Sequence, residues 1–304
     1  MATIRSEAYA PTGVAKVWHA VIAFFTLVLR TNTGRIGLAV VGIHVVLALI
    51  GPWITPFPPT EYHIQDQYSS PTSTYWLGTD EKGRDIFSRV LAGARSIIWI
   101  ATAGTILGVT FGTIVGVTSG YLGGRIDQVI MRIVDWFLAI PSLLLAILVI
   151  NMATQRFRSV DESFIIIGII GISFMPNNSR VIRSATLAIK PLEFVQSARL
   201  RGEPTLYIMF REVLPNVLPV VGVEATIRLS FALLLTAGLG FLGLGVQPPE
   251  PDWGKMVSEN AIILDVAPLA SLAPGIAMAS LVVGINLLAD GIRQAQNLPE
   301  TGDR

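Results

Sequence analysis

Six stretches of this chain are apolar over roughly the 20 residues that a helix needs to cross a bilayer. They run from Ile36 to Ile54, Ile97 to Tyr121, Val129 to Met152, Ser163 to Asn177, Val217 to Leu244 and Leu269 to Ala289. The third carries Asp135, the fourth is short and ends at Pro176, and the fifth carries Glu224 and Arg228. Ahead of the first, Val17 to Leu29 is apolar but too short to span, and Arg5, Lys16, Arg30 and Arg35 surround it. It reads as a helix lying in the membrane interface rather than a cleavable signal. The expectation is an all-α, polytopic membrane protein with six transmembrane helices.

Composition agrees with that pattern. Of 304 residues, 52% are hydrophobic and 14% are charged, and the mean hydropathy is +0.60. A water-exposed globular surface brings charged residues to about 25%, so an apolar exterior facing lipid is the economical explanation. The net charge of +1 gives no basic face for nucleic acid. The chain has no cysteine, which excludes disulfides, thiolate nucleophiles and zinc–thiolate sites. His19, His44 and His63 are far apart and form no metal-ligand pattern such as HExxH. The phosphate-binding GxxxxGK[ST] loop is absent, so this chain cannot by itself couple ATP hydrolysis to anything.

Loop charge sets the orientation. If the N-terminus is cytoplasmic, the inner segments hold about twice the Lys and Arg of the outer loops, which favours both ends inside. The outer loops are then Thr55 to Ser96, Ala153 to Glu162 and Val246 to Pro268, and the inner ones Leu122 to Gln128 and Asn178 to Asn216. The chain divides into an N-terminal segment 1–35, a first span with its outer loop 36–96, a five-helix core 97–291 containing the loop 178–216, and a tail 292–304. In the second span Gly104, Gly108, Gly112, Gly116 and Gly120 share one helix face. Small residues at that spacing allow close helix approach, either inside one subunit or between subunits.

The loop 178–216 is the longest internal one and the most basic, with Arg180, Arg183, Lys190, Arg199, Arg201 and Arg211. Phe194 to Leu200 suits a short helix, Gly202 can end it at positive φ, and Pro204 prevents its simple continuation. Leu206 to Val213 reads as a second helical stretch leading into the fifth span. The loop resembles the EAA–x3–Gly–(gap)–Leu–Pro motif of ABC importer permeases, with Gln196, Ser197 and Ala198 at the EAA positions, then Gly202, Glu203, and Leu214 and Pro215 closing it.

Further blocks resemble the same family. Leu77-Gly-Thr-Asp80, Gly83-Arg84-Asp85 and Ser88-Arg89 look like its LGTDxxGRDxxSR signature, and Gly240 to Gly254 like its FLGLGxQPPxPxWG block. Ser119 to Asp127, Pro141 to Ala146, Pro274-Gly275 and Asn286 to Arg293 follow in family order, with Gln294 where Asp is often found. From about Ile36 to Pro299 the chain is similar to the C-type subunit of the dipeptide/oligopeptide/nickel permeases. The resemblance implies a type I importer fold. It also implies a second, B-type permease as heterodimer partner, two ATP-binding subunits that hold ATP and Mg, and an extracytoplasmic binding protein. The chain itself is implied to be a transport subunit, not an enzyme, with no cofactor or metal of its own, set in inner-membrane lipid. The short helix is implied to dock on the ATPase, with Ala198 in the contact. A secondary transporter would show repeated halves, and an intramembrane enzyme a nucleophile–base pair; the sequence offers neither.

Charges within spans are costly and often functional. Glu224 and Arg228, four apart, share a face of the fifth helix in the favourable Glu-first order. Arg132 and Asp135 sit near the inner end of the third span and Asp290 at that of the sixth. All five serve either packing or the translocation path.

Overall fold

The computed structural model describes residues 25–26, 28–156 and 160–297, and these form helices without a β-strand. The expected interfacial helix from Val17 falls almost wholly outside the described residues. The helices are α1 (Asn32–Ile54), α2 (Ile86–Leu122), α3 (Gly124–Leu138), α4 (Ser142–Arg156) and α5 (Glu162–Ile189). Then follow α6 (Glu193–Leu200), α7 (Thr205–Phe241), α8 (Trp253–Asn260) and α9 (Pro268–Asn297).

Five of these (α1, α2, α5, α7 and α9) are long and apolar enough to cross a membrane. The sixth expected span is a bent pair. Val129 to Met152 is not one rod: α3 and α4 meet at 83° around Pro141. Proline lacks the N–H that would continue the ladder and pushes the preceding residue out of the helical region. Pro176 does the opposite of what its position suggests. It lies inside α5, which runs on to Ile189. Packed spans tolerate proline; Pro176 is buried, and the Ser179 hydroxyl donates to its carbonyl at 2.7 Å. Residues 178–189 are therefore helix, and the irregular part of the inner loop begins at Lys190.

The second span also starts earlier than its apolar run. Asp85 caps α2 by accepting from the Ser88 N–H at 2.9 Å, so the helix includes Ser88 and Arg89 and runs 37 residues, about 55 Å. That exceeds the roughly 30 Å hydrocarbon core, so α2 reaches past it and carries structure at both ends. The fifth span likewise extends back to Thr205, with a π-helical segment at Ile208–Val213.

Between spans the lipid supplies no hydrophobic drive, so backbone proximity and polar contacts hold helices together. The glycine stripe of α2 faces α5 within this subunit. A Cβ on Gly116 would stand 2.6 Å from the Ser179 carbonyl oxygen. Asn178 donates across the same seam to the Val109 carbonyl at 2.9 Å. α1 lies on α9 through Gly37 and Gly284. Near this seam buried His44 of α1 is within 3.2 Å of the Ala277 carbonyl of α9.

Candidate functional site

One end of the bundle carries α6. The helix ends in a Schellman turn: the Gly202 N–H donates to the Arg199 carbonyl (2.9 Å) and the Glu203 N–H to that of Ala198 (3.2 Å), with Gly202 at φ +77°. Pro204 then starts α7 afresh. The inner face of α6, Val195 and Ala198, is fully buried against Val117, Ile182, Met209, Val213 and Val217. Ala198 thus faces its own chain, and a charge there would act first on this subunit's fold. The outer face is open. Phe194, Gln196, Ser197, Arg201 and Gly202 are exposed, and Leu200 at the tip is 89% exposed. Glu203 is half-buried beside Arg201, which also reaches Glu212 at 3.6 Å. Leu214 and Pro215 open the α-helical part of α7.

α6 is also tied to α2 by a contact that the sequence did not reveal. The Arg199 guanidinium stacks 4.9 Å over the Tyr121 ring and donates to its hydroxyl at 3.1 Å. On the neighbouring surface Arg183 makes a two-pronged pair with Asp127 at 2.5–2.6 Å. Asp135 pairs with Arg180 of α5 at 2.5 Å. Arg132 is exposed, with no carboxylate partner among the described residues. The basic residues of the inner loop thus have specific jobs, fastening α3 to α5, beyond marking orientation.

At the opposite end, the signature around Asp80 folds into a buried clasp. Arg84 donates to Asp80 at 2.6 Å and reaches Glu259 of α8 at 3.1 Å; Arg89 lies 3.7 Å from Asp80. Asp80 also accepts from the backbone of Lys82 and Arg84. Asp80 and Glu259 thus set two carboxylates against the two buried guanidiniums of Arg84 and Arg89. Gly83, at φ +70°, is packed so that a Cβ would come within 1.9 Å of the His63 carbonyl oxygen. α8 is seated on α2, where the Trp253 indole donates to the Val90 carbonyl at 2.9 Å. Asp252 caps α8 and accepts from the Lys255 N–H at 2.9 Å; its burial pushes the carboxyl above the usual range. Glu259, 175 residues from Arg84, had no sequence signal to reveal it.

Of the intramembrane charges, Glu224 and Arg228 do meet, at 2.5 Å, with Glu224 buried and Arg228 half-buried. Asp290 is exposed beside Arg293 at 3.4 Å.

The family described as binding-protein-dependent transport system inner membrane component matches residues 108–297, and the N-terminal TM domain of oligopeptide transport permease C matches residues 20–71. The dipeptide transport system permease protein DppC of Alkalihalophilus pseudofirmus is 35% identical over 266 residues, 88% of this chain and 86% of that protein. The glutathione transport system permease protein GsiD of Escherichia coli is 35% identical over 286 residues, 94% and 91% respectively. The DppC of Haemophilus influenzae is 36% identical, over 89% and 92%. A solved structure of the MetNI methionine ABC transporter in an inward-facing conformation shares the fold, with TM-score 0.52 and 21% identity over 67% of this chain and 96% of that one. A permease of this kind works with ATPase and binding-protein partners. The chain belongs to the binding-protein-dependent transport system inner membrane component family, as a multi-pass inner-membrane permease subunit of an ABC importer of the dipeptide/oligopeptide type.

Proposed function

We propose that this subunit forms half of a peptide path, paired with a different, B-type permease, and that two ATP-binding subunits holding ATP and Mg drive it through α6. Both termini are cytoplasmic in this reading, α6 lies at the cytoplasmic end, and the clasp end faces the binding protein. The observation that carries it is the two-sided character of α6: an inner face seated on α2, α5 and α7, and an outer face with Phe194, Gln196, Ser197 and Leu200 exposed. Such a helix transmits a push on its tip to three long helices at once. Peptides are the substrate class because relatives along nearly the whole chain are named as dipeptide and glutathione permeases. Glu224 and Arg228 are the intramembrane charges placed to meet a zwitterionic cargo, or to pin α7.

The test is Leu200→Asp in the assembled transporter. The subunit is expected to insert and pair as before, while ATPase retention and binding-protein-stimulated hydrolysis fall. Normal transport with the ATPase still bound would remove α6 as the coupling element. Orientation is checked with Gln67→Cys and Gln196→Cys: an impermeant thiol reagent should reach the first in intact cells and the second only after permeabilisation.

A further inference from the structure

At the clasp end a cavity of about 810 Å³ opens between α1, α2 and the loop before α8. Most of its lining is apolar, including Val45, Ala48, Leu49 and Ile98. Its rim is charged: Arg95 of α2 and Glu250 both line it. Neither has an ion-pair partner among the described residues, and they are too far apart to pair with each other. A second cavity of about 320 Å³ lies further along α2, lined by Trp99, Ala103, Ile106, Leu107, Phe164 and Ile167, so that Trp99 lines both. From residue 95 to residue 107 the two cavities, placed end to end at Trp99, follow about 18 Å of helix. That is close to one leaflet of hydrocarbon, half of the roughly 30 Å core.

The depth of the charged rim is also marked. The Arg95 guanidinium lies 5.9 Å from the Trp53 ring, and Trp53, Trp76 and Trp99 are all exposed at this end. Tryptophan collects at the headgroup level of a bilayer. The groove therefore has one cation and one anion at headgroup depth and an apolar slot leading towards the membrane centre.

The geometry points to a bound phospholipid in this groove, its phosphate on Arg95, its headgroup ammonium on Glu250 and one acyl chain along Trp99 into the slot. Phosphatidylethanolamine has this chemistry. A lipid with an anionic headgroup would set its second negative group against Glu250. A water-soluble peptide matches the charged rim, but it would leave the apolar slot empty. A seated lipid would brace α1 against α2 beside the clasp.

The experiment uses the transporter purified with its partner subunits and equilibrated in mixed micelles of equal phosphatidylethanolamine and phosphatidylglycerol, with retained lipid counted by native mass spectrometry. The unaltered protein should retain phosphatidylethanolamine in preference. Arg95→Gln should lower retention about tenfold, the loss of one charge-assisted hydrogen bond, and Arg95→Lys should restore most of it. Glu250→Gln should abolish the preference between the two lipids while leaving total retention high. Ala103→Phe, which fills the slot, should lower retention of both. Unchanged retention in both Arg95→Gln and Ala103→Phe would overturn the proposal, and an unchanged preference in Glu250→Gln would overturn the headgroup assignment. A photocrosslinker at position 99 that captures the second permease instead of lipid would show the groove to be a subunit seam, and would also overturn it.

Discussion

The two ends of this bundle use similar parts for opposite purposes. Each carries a family motif, a glycine at positive φ and a cluster of arginines and carboxylates. In the clasp the motif itself is turned inward: Asp80, Arg84, Asp85 and Arg89 are buried, and Gly83 is packed against the His63 backbone. At the α6 end Gly202 has nothing within 4 Å of where a Cβ would stand, and Leu200 projects into the open. A motif can thus mark either a closed internal joint or a surface kept free for another chain, and side-chain burial distinguishes the two.

The sharpest way to break the comparison is to open the clasp. Arg84→Met leaves Asp80 and Glu259 without their shared guanidinium. Removing one member of a buried pair costs about 3–5 kcal/mol, so the purified subunit should lose most of its thermal stability in detergent. A melting temperature like the unaltered protein's would mean that the cluster is solvated. Gly83→Ala comes next. It meets both the left-handed strain, about 1–2 kcal/mol, and a backbone clash, about 1–3 kcal/mol. Gly202→Ala meets the strain alone, so the ratio of the two stability losses reads out the difference in packing directly. Equal losses would contradict the geometry.

Between the ends, Glu224 and Arg228 supply an internal reference. Their coupling should be about 1.5–3 kcal/mol, as for a hydrogen bond between charged groups in a half-buried setting. The double change Glu224→Gln with Arg228→Gln should therefore cost less than the two single changes added. Strict additivity in a thermal-shift cycle would show that the pair is not formed in the assembled protein. At the α6 end Gly202→Leu should lower stability by only about 1–2 kcal/mol yet uncouple ATP hydrolysis from the loaded binding protein. Hydrolysis stimulated as before would show that the turn is not used in docking.

The smallest effect concerns pH at the clasp end. Burial raises the Asp252 carboxyl above its unfolded value. A group raised in this way contributes stability that is complete at low pH and is lost as pH climbs through its folded value. Asp252→Asn keeps a capping side chain and should flatten the acid side of the melting-temperature profile. A profile unchanged by the substitution would mean that Asp252 is ionised throughout.

The sequence by itself determined the membrane class, the short helix ended by Gly202, the Glu224–Arg228 pairing and the family. These rest on local composition, on spacing along one helix, or on motifs contiguous in the chain. Tertiary structure decided where helices stop. Pro141 breaks one span into α3, which lies on α2 and α5, and α4, which lies on α5 and α7, whereas Pro176 is absorbed within α5, which is packed along its length against α2. It also decided which way a motif residue points. Ala198 and Ser197 are adjacent in sequence, yet one is sealed inside and the other exposed. Arg84 found Glu259, and Arg199 found Tyr121, across 175 and 78 positions of chain. Hydropathy is a sum over nearby residues and fixes depth in the membrane; partners depend on which helices come to lie side by side, which no local sum contains.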